Sequence, residues 1–303
     1  MNLIVITGPT AVGKSRLAMD VAGHLGAEIV SADSRQVYHY MDVGTAKPTI
    51  EERARVPHHL LDVVYPNEPH SIADYQRDAS RALEDAERRG RVALVVGGSP
   101  HYIQALVDRL QPAPRNSALR AWLDRTDAEL PGRLDAWLAV LDPAAAGVIE
   151  PRNRRRVLRA LEIILTTGLP FSDVGRRRGP SRPALWIGLR EARAVLYERV
   201  ATRLDGMLAD GWLAEVRTLL AMGYAPTLPS MSATGYGELA RVAGGQISMA
   251  EARERILRAT HAFIRRQDTW LRAEPRIRWL DASDPRLVDR VLTAVSEFRH
   301  NGI

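Results

Sequence analysis

The chain of 303 residues contains no cysteine. That absence removes disulfides, thiolate nucleophiles and Cys-ligated zinc together. Long apolar runs are missing as well. Leu3-Ile4-Val5-Ile6, near the start, is too short for a secretion leader or a membrane span, so a soluble cytoplasmic protein without membrane contact is expected. Lysine is almost absent: of 42 basic residues only Lys14 and Lys47 are not arginine. A compact ammonium kept at two places in an arginine-rich chain hints at chemistry there that a guanidinium does not supply. Repeats, heptads and low-complexity tails are absent too. What is there is a globular composition, 46% hydrophobic and 26% charged, enough for one large domain or a core with a smaller insertion. The formal net charge of +6 favours anionic partners, either nucleic acid or small phosphorylated ligands.

The apolar pattern alternates between strand and helix. Leu3–Thr7 reads as a buried parallel strand, and Leu17, Ala18, Val21, Ala22 and Leu25 repeat at helical spacing until Gly26. Glu28–Ala32 reads as a second strand, Ser71 as the cap of a helix running to about Arg89, and Val92–Gly98 as a third strand. Residues 42–70 read as loop. This alternation predicts an α/β fold: a P-loop-containing core with a parallel β-sheet flanked by helices. Near Pro112-Ala113-Pro114 the character turns helical, and Ala184–Leu189 returns to strand. The predicted organisation is a core of residues 1–115 and 184–303 with a helical insertion domain at 116–183. Two long helices are expected after it, at about 192–222 and 249–272.

The chemistry begins at Gly8-Pro9-Thr10-Ala11-Val12-Gly13-Lys14-Ser15, a phosphate-loop pattern with a strand before it and a helix after it. Glycines let successive backbone N–H groups face a phosphate, and the helix start adds its positive dipole end. Lys14 neutralises phosphate charge, and the Ser15 hydroxyl is a ligand for Mg²⁺, the expected cofactor. A nucleotide hydrolase or kinase usually ends a later core strand in Asp. Here Val92–Val96 ends in Gly97-Gly98-Ser99 instead, and the acid sits at the end of the second strand, Asp33. An Asp at the carboxyl end of a parallel strand lies in the crevice where such sheets bind ligands, so Asp33 is a candidate Mg²⁺ ligand or general base. His58-His59 is not read as a zinc site, because adjacent histidines rarely point at one ion and no third ligand is evident. Arg152, Arg154, Arg155, Arg156 and Arg159 are densely grouped, and the pairs Arg155/Arg159 and Arg199/Arg203 share helical faces. Like charges at that spacing repel by about 0.2–0.5 kcal/mol per pair, which an anionic partner relieves.

Several segments together resemble the tRNA dimethylallyltransferases. They are Gly8–Ser15, Ile29–Tyr38, Met41–Pro48, Pro57–Asp62, Val96–Ser99, Arg159–Glu162, Gly235-Tyr236 and Arg265–Trp270, in order along nearly the whole chain. The resemblance implies transfer of a dimethylallyl group from its diphosphate to the exocyclic amine of the adenine 3′ to the anticodon. It implies a tRNA anticodon loop and dimethylallyl diphosphate as partners, with Asp33, Ser34, Arg35 and Gln36 at the target nucleotide and Arg120 against tRNA. The chemistry suits the residues. The adenine amine is a weak nucleophile that loses a proton as it attacks, which fits Asp33 as general base. Lys14, the loop amides and Mg²⁺ would stabilise the departing pyrophosphate. Catalytic roles are thus expected for Asp33, Lys14 and Ser99, and diphosphate binding for Gly8 through Ser15. Binding of tRNA is expected at Asp33, Ser34, Arg35, Gln36, Ser99, Arg120, Arg155, Arg159 and Arg203. Ser99 stands where the family usually has Thr, and Pro100 and His101 depart from its small or apolar residues. Without cysteine the chain lacks the zinc module of eukaryotic relatives and resembles the bacterial form, expected as a monomer with no obligate protein partner. A P-loop kinase of a small metabolite or nucleotide, a transferase acting on free AMP, and an RNA-binding module with a vestigial loop remain the competing readings.

Overall fold

The structure is a computed structural model that describes residues 3–110, 113–174 and 181–300. The chain opens with β1 (Leu3–Thr7), every residue of it buried, and α1 (Lys14–Leu25). Gly13 precedes α1 at φ 102°, a left-handed conformation that glycine adopts without steric cost. β2 (Glu28–Ser31) ends one residue before the expected boundary. The stretch read as loop contains α2 (Ile50–Arg55), started by a capping box of Thr49 and Glu52, and the two-residue strand β3 (His58–His59). α3 (Ile72–Arg88) starts on a second capping box, Ser71 with Asp74. β4 (Ala93–Gly97) leads into α4 (Pro100–Val107). Pro100 therefore occupies the first helical position, where its missing N–H is not needed.

Five helices follow: α5 (Ser117–Glu129), α6 (Arg133–Leu141), α7 (Pro143–Ala146), α8 (Arg154–Thr167) and α9 (Phe171–Val174). They enclose their own core of Leu123, Leu134, Leu138, Val157 and Leu161. Then come β5 (Ala184–Arg190), α10 (Arg193–Ala209), α11 (Trp212–Ala221), α12 (Tyr236–Ala243), α13 (Met249–Arg272), β6 (Ile277–Asp281) and α14 (Leu287–His300). The single helix expected over 192–222 is two helices, because Gly211 adopts φ 96° and starts a new one.

The six strands form one sheet in the order β3-β2-β4-β1-β5-β6, and every pairing is parallel. Both faces are covered. Ile4 and Ile6 point into a core with Leu17, Val21, Leu196 and Val291, while Leu3 and Val5 point into another with Tyr75, Leu83, Ile103 and Trp186. Register aligns Thr7 with Gly97 and Ser31 with Val96, so the segments after β1, β2 and β4 leave the sheet at one carboxyl edge. The chain divides into two compact units, Met1–Val107 with Arg182–Ile303, and Asp108–Ser181. The expected boundaries at 116 and 183 move outward at the first junction and inward at the second. Residues before α5 are tied into the smaller unit: Asn116 N–H donates to Glu162, Arg159 reaches the carbonyls of Ala113 and Pro114, and the Ser181 hydroxyl lies 3.3 Å from Asp108. Pro112 lies outside the described residues. Among the described residues no helix is long and apolar enough to cross a membrane.

Candidate active site

The loop Gly8–Ser15 connects β1 to α1 and wraps the amino end of that helix. Lys14 Nζ donates to the Pro9 carbonyl at 2.7 Å. Crowding by protein lowers the Lys14 ammonium to about 8; Asp33 acts in the opposite direction and Arg203 in the same one. Arg203, on α10, has an exposed side chain, yet the protein around its guanidinium holds it below its ordinary value while Asp33 counteracts. Lys14, Asp33 and Arg203 therefore share one electrostatic environment although 170 residues separate the last two by number.

Asp33 sits just beyond β2. Its Oδ1 accepts from the Arg35 N–H at 2.8 Å, which fixes the carboxylate. Ser99 follows β4, and its Oγ accepts from the Ser34 N–H at 3.3 Å, leaving its own proton to donate elsewhere. Ser99 N–H in turn donates to the Ala32 carbonyl at 3.2 Å, tying the ends of β2 and β4 together. Ser15 is exposed at the first turn of α1 and has no hydrogen-bond partner among the described residues.

Gln267 on α13 holds this edge in place. Its Oε1 accepts from Thr10 N–H at 2.9 Å, and its Nε2 donates to the Gly98 carbonyl at 2.8 Å. A Cβ on Gly98 would lie 2.4 Å from Nε2, so only glycine admits the contact. Sequence reasoning gave Gln267 no role. The signal was a polar residue on the buried stripe of α13 between Ile264 and Leu271. Its neighbours Arg265 and Arg266 are turned to the surface, one against the Tyr197 hydroxyl and one over the Phe263 ring.

Other predicted residues are engaged within the chain. Gln36 accepts from the Ser31 hydroxyl and donates both amide hydrogens, to the Thr45 and Ala46 carbonyls, so no amide hydrogen is free for a base. Arg35 clasps Pro229 O at 2.8 Å and Ser232 Oγ at 3.3 Å. Lys47, with a side chain 1% exposed, donates to Tyr38 O, Asp42 and Asp62 at 2.8, 2.5 and 2.6 Å. Three oxygens around one ammonium explain a lysine there, and the role is structural. Burial opposes ionisation of Asp62, but hydrogen bonds from Lys47 and Arg53 hold its carboxyl below the usual range. Glu215 accepts from the N–H groups of Asp42, Val43 and Gly44 and from the Tyr236 hydroxyl, securing the same loop. His58 bonds the Val56 carbonyl and His59 bonds Glu28.

In the smaller unit, Arg159 pairs with Glu162 at 2.8 Å, and Arg120 lies 3.7 Å from the same carboxylate and 3.6 Å from Asp124. Arg154 pairs with Asp127 and Asp135. Arg152, Arg155 and Arg156 are exposed and have no partner among the described residues. In the larger unit Arg199 pairs with Glu191 at 3.1 Å. The repulsion expected within Arg155/Arg159 and Arg199/Arg203 is thus relieved by acids of the chain itself. A cleft of about 460 Å³ off β5 and β6 touches Pro9 but none of Lys14, Asp33 and Ser99. Its arginines 190, 193 and 272 are each paired with Asp281 or Asp268.

A family model described as IPP transferase matches residues 36–274, and another, described as Isopentenyl transferase, matches residues 1–62. The tRNA dimethylallyltransferase of Thermomicrobium roseum is 44% identical over 99% of this chain and 93% of its own length. The crystal structure of the full-length tRNA isopentenylpyrophosphate transferase from Bacillus halodurans is similar with a TM-score of 0.72 and 34% identity, covering 99% of this chain and 98% of that one. A eukaryotic dimethylallyltransferase acting on tRNA gives a TM-score of 0.86 at 27% identity, over 99% of this chain and 80% of that one.

Proposed function

The chain belongs to the IPP transferase family, and from that premise we propose that it transfers the dimethylallyl group of dimethylallyl diphosphate to N6 of the adenine 3′-adjacent to the anticodon of tRNA, releasing diphosphate. The observation that carries the mechanism is that Asp33 and Ser99 follow β2 and β4 at the carboxyl edge of the sheet beside Lys14 of the phosphate loop, with Arg203 of α10 within electrostatic reach of Lys14 and Asp33. The bond from the allylic carbon to the diphosphate oxygen breaks as the N6–carbon bond forms. The leaving diphosphate is received by the loop amides, the amino end of α1 and Lys14, which stabilise the charge developing on it. Asp33, held by the Arg35 N–H, takes the proton that N6 loses. Ser99 donates its hydroxyl proton to the adenine or to a diphosphate oxygen. No attacking water has to be positioned, so an acid after β4 is unnecessary.

The donors present fit Mg²⁺. That ion keeps most of its shell as water and phosphate oxygen, and the unpartnered Ser15 hydroxyl would hold it beside the diphosphate. Bound there, it would neutralise charge on the leaving group. Target adenine recognition falls to Asp33, Ser34 and Ser99, and phosphate contact to Arg203 and Arg155; Arg120 and Arg159 hold the smaller unit together through Glu162. One copy of the chain carries every residue used, and the reaction belongs in the cytoplasm, where its substrates meet.

Asp33→Asn keeps the shape and removes the base. It is expected to lower the single-turnover rate by at least about a hundredfold while tRNA affinity stays within a few fold. A variant turning over at near the native rate would overturn the assignment.

A further inference from the structure

Exposed Tyr40 and Tyr65 and half-buried His39 form an aromatic cluster that the reaction as described does not use. The His39 and Tyr65 rings stack with centroids 4.7 Å apart, and the Tyr40 ring lies 5.8 Å from that of Tyr65 and 6.0 Å from that of His39. Tyr40 is 42% exposed and Tyr65 is 44% exposed, whereas Tyr38, Tyr75, Tyr102 and Tyr236 are buried. Tyr40 also adopts φ +65°, a left-handed conformation that disfavours a side chain with a Cβ. The ring it carries is only partly covered, by Tyr65 and His39.

The backbone under the rings is tied by hydrogen bonds between the two segments. Tyr38 bridges Val64 in parallel, His39 N–H donates to the Val64 carbonyl at 2.9 Å, and Val63 N–H donates to the Val37 carbonyl at 2.7 Å. The buried Lys47 ammonium grips the Tyr38 carbonyl from below. These two segments continue from the carboxyl ends of β2 and β3, so the rings stand off the same sheet edge as Asp33, which precedes Tyr40 by seven residues. Val63 is the one exposed aliphatic residue of the two segments, too little apolar area for a protein partner. Clustered rings with polar rims are what an unpaired base accepts as a stacking surface, and the carboxylates of Asp62 and Glu68 beside them disfavour phosphate there, so the contact is with a base.

Taking tRNA as the substrate, as the proposed function does, we infer that the His39–Tyr40–Tyr65 cluster is a platform on which an unpaired base flanking the target adenine stacks. It acts on binding and placement of the RNA and has no part in bond making. The test uses the full chain and an unmodified anticodon stem-loop RNA at fixed salt, with affinity read by fluorescence anisotropy. Tyr65→Ala and Tyr40→Ala are each expected to weaken binding about fivefold to tenfold, and Tyr65→Phe and Tyr40→Trp to restore it. Tyr40→Gly relieves the left-handed strain, so it is expected to keep or raise the Tm while still weakening RNA binding. Affinity for inorganic pyrophosphate serves as the control for an intact loop. Abasic substitutions along the loop then locate the base, since at one position the Tyr65→Ala loss disappears. Native affinity in both alanine variants overturns the platform, as does a Tyr65→Ala loss that persists at every abasic position, or self-association that the variants abolish without affecting RNA. If the unaltered protein neither binds nor prenylates the stem-loop, the proposed function itself fails, a result distinct from these.

Discussion

Lys14 and Lys47 are the only lysines in the chain, and the structure gives them different work. Lys14 faces the phosphate loop with its ammonium lowered to about 8 by burial. A bound diphosphate favours the charged form, so above that pH binding must take up a proton. Affinity for inorganic pyrophosphate, corrected for the ligand's own ionisation, is expected to be flat below about pH 7 and to fall by up to tenfold per unit above about pH 8. Calorimetry in buffers of different ionisation heat reads both the affinity and the proton uptake, and a profile flat well past pH 9 would contradict the assignment. Lys47 shows the limit of reading residue type alone. Its retention among arginines pointed to chemistry, but the ammonium is enclosed by Asp42, Asp62 and the Tyr38 carbonyl. Those partners lie at unrelated spacings, and nothing local in the sequence announces them. Gln36 is similar: its amide is consumed by a loop nine and ten residues away. Asp33 was legible because its place follows from one short strand and the parallel sheet rule, with no tertiary contact required.

At the scale of elements, strands with apolar, β-branched runs were readable, and β1, β2, β4 and β5 lie where their runs predict. β3 was not, since two histidines carry no period and pair with β2 only through the backbone. The break between α10 and α11 was hidden because helical spacing resumes directly after Gly211. The loop's dependence on a helix far along the chain was equally hidden. Thr10 N–H and the Gly98 carbonyl are joined through Gln267, 257 and 169 residues away. Gln267→Leu preserves volume and removes both bonds, leaving a loop N–H without its partner, a loss of about 1–3 kcal/mol. Pyrophosphate affinity is expected to fall about tenfold or more with the Tm reduced by only a few degrees. Unchanged affinity in that variant would show that the loop holds its shape without α13.

For the whole molecule, the α/β class and the presence of a helical insertion followed from a change of apolar period, while the junctions did not. They depend on ties such as Arg159 to the Ala113 and Pro114 carbonyls, which join loop to helix across the unit. Carboxylates within the unit decide which of its arginines stay unpaired. Arg152, Arg155 and Arg156 are unpartnered among the described residues, whereas Arg154 and Arg159 are held by acids. Replacing the three free arginines with alanine is expected to weaken tRNA binding and lower the slope of log affinity against log salt by about 0.7 for each phosphate no longer neutralised. Pyrophosphate affinity should not move, and an unchanged salt slope would remove this surface from the RNA interface. The central claim is the identity of the product. Unmodified tRNA incubated with Mg²⁺ and labelled dimethylallyl diphosphate, digested to nucleosides and analysed by mass spectrometry, is predicted to yield N6-dimethylallyl adenosine from the position 3′ to the anticodon, with no ATP required. Unlabelled tRNA, or phosphate transfer from ATP to a small acceptor by the same protein, would contradict it.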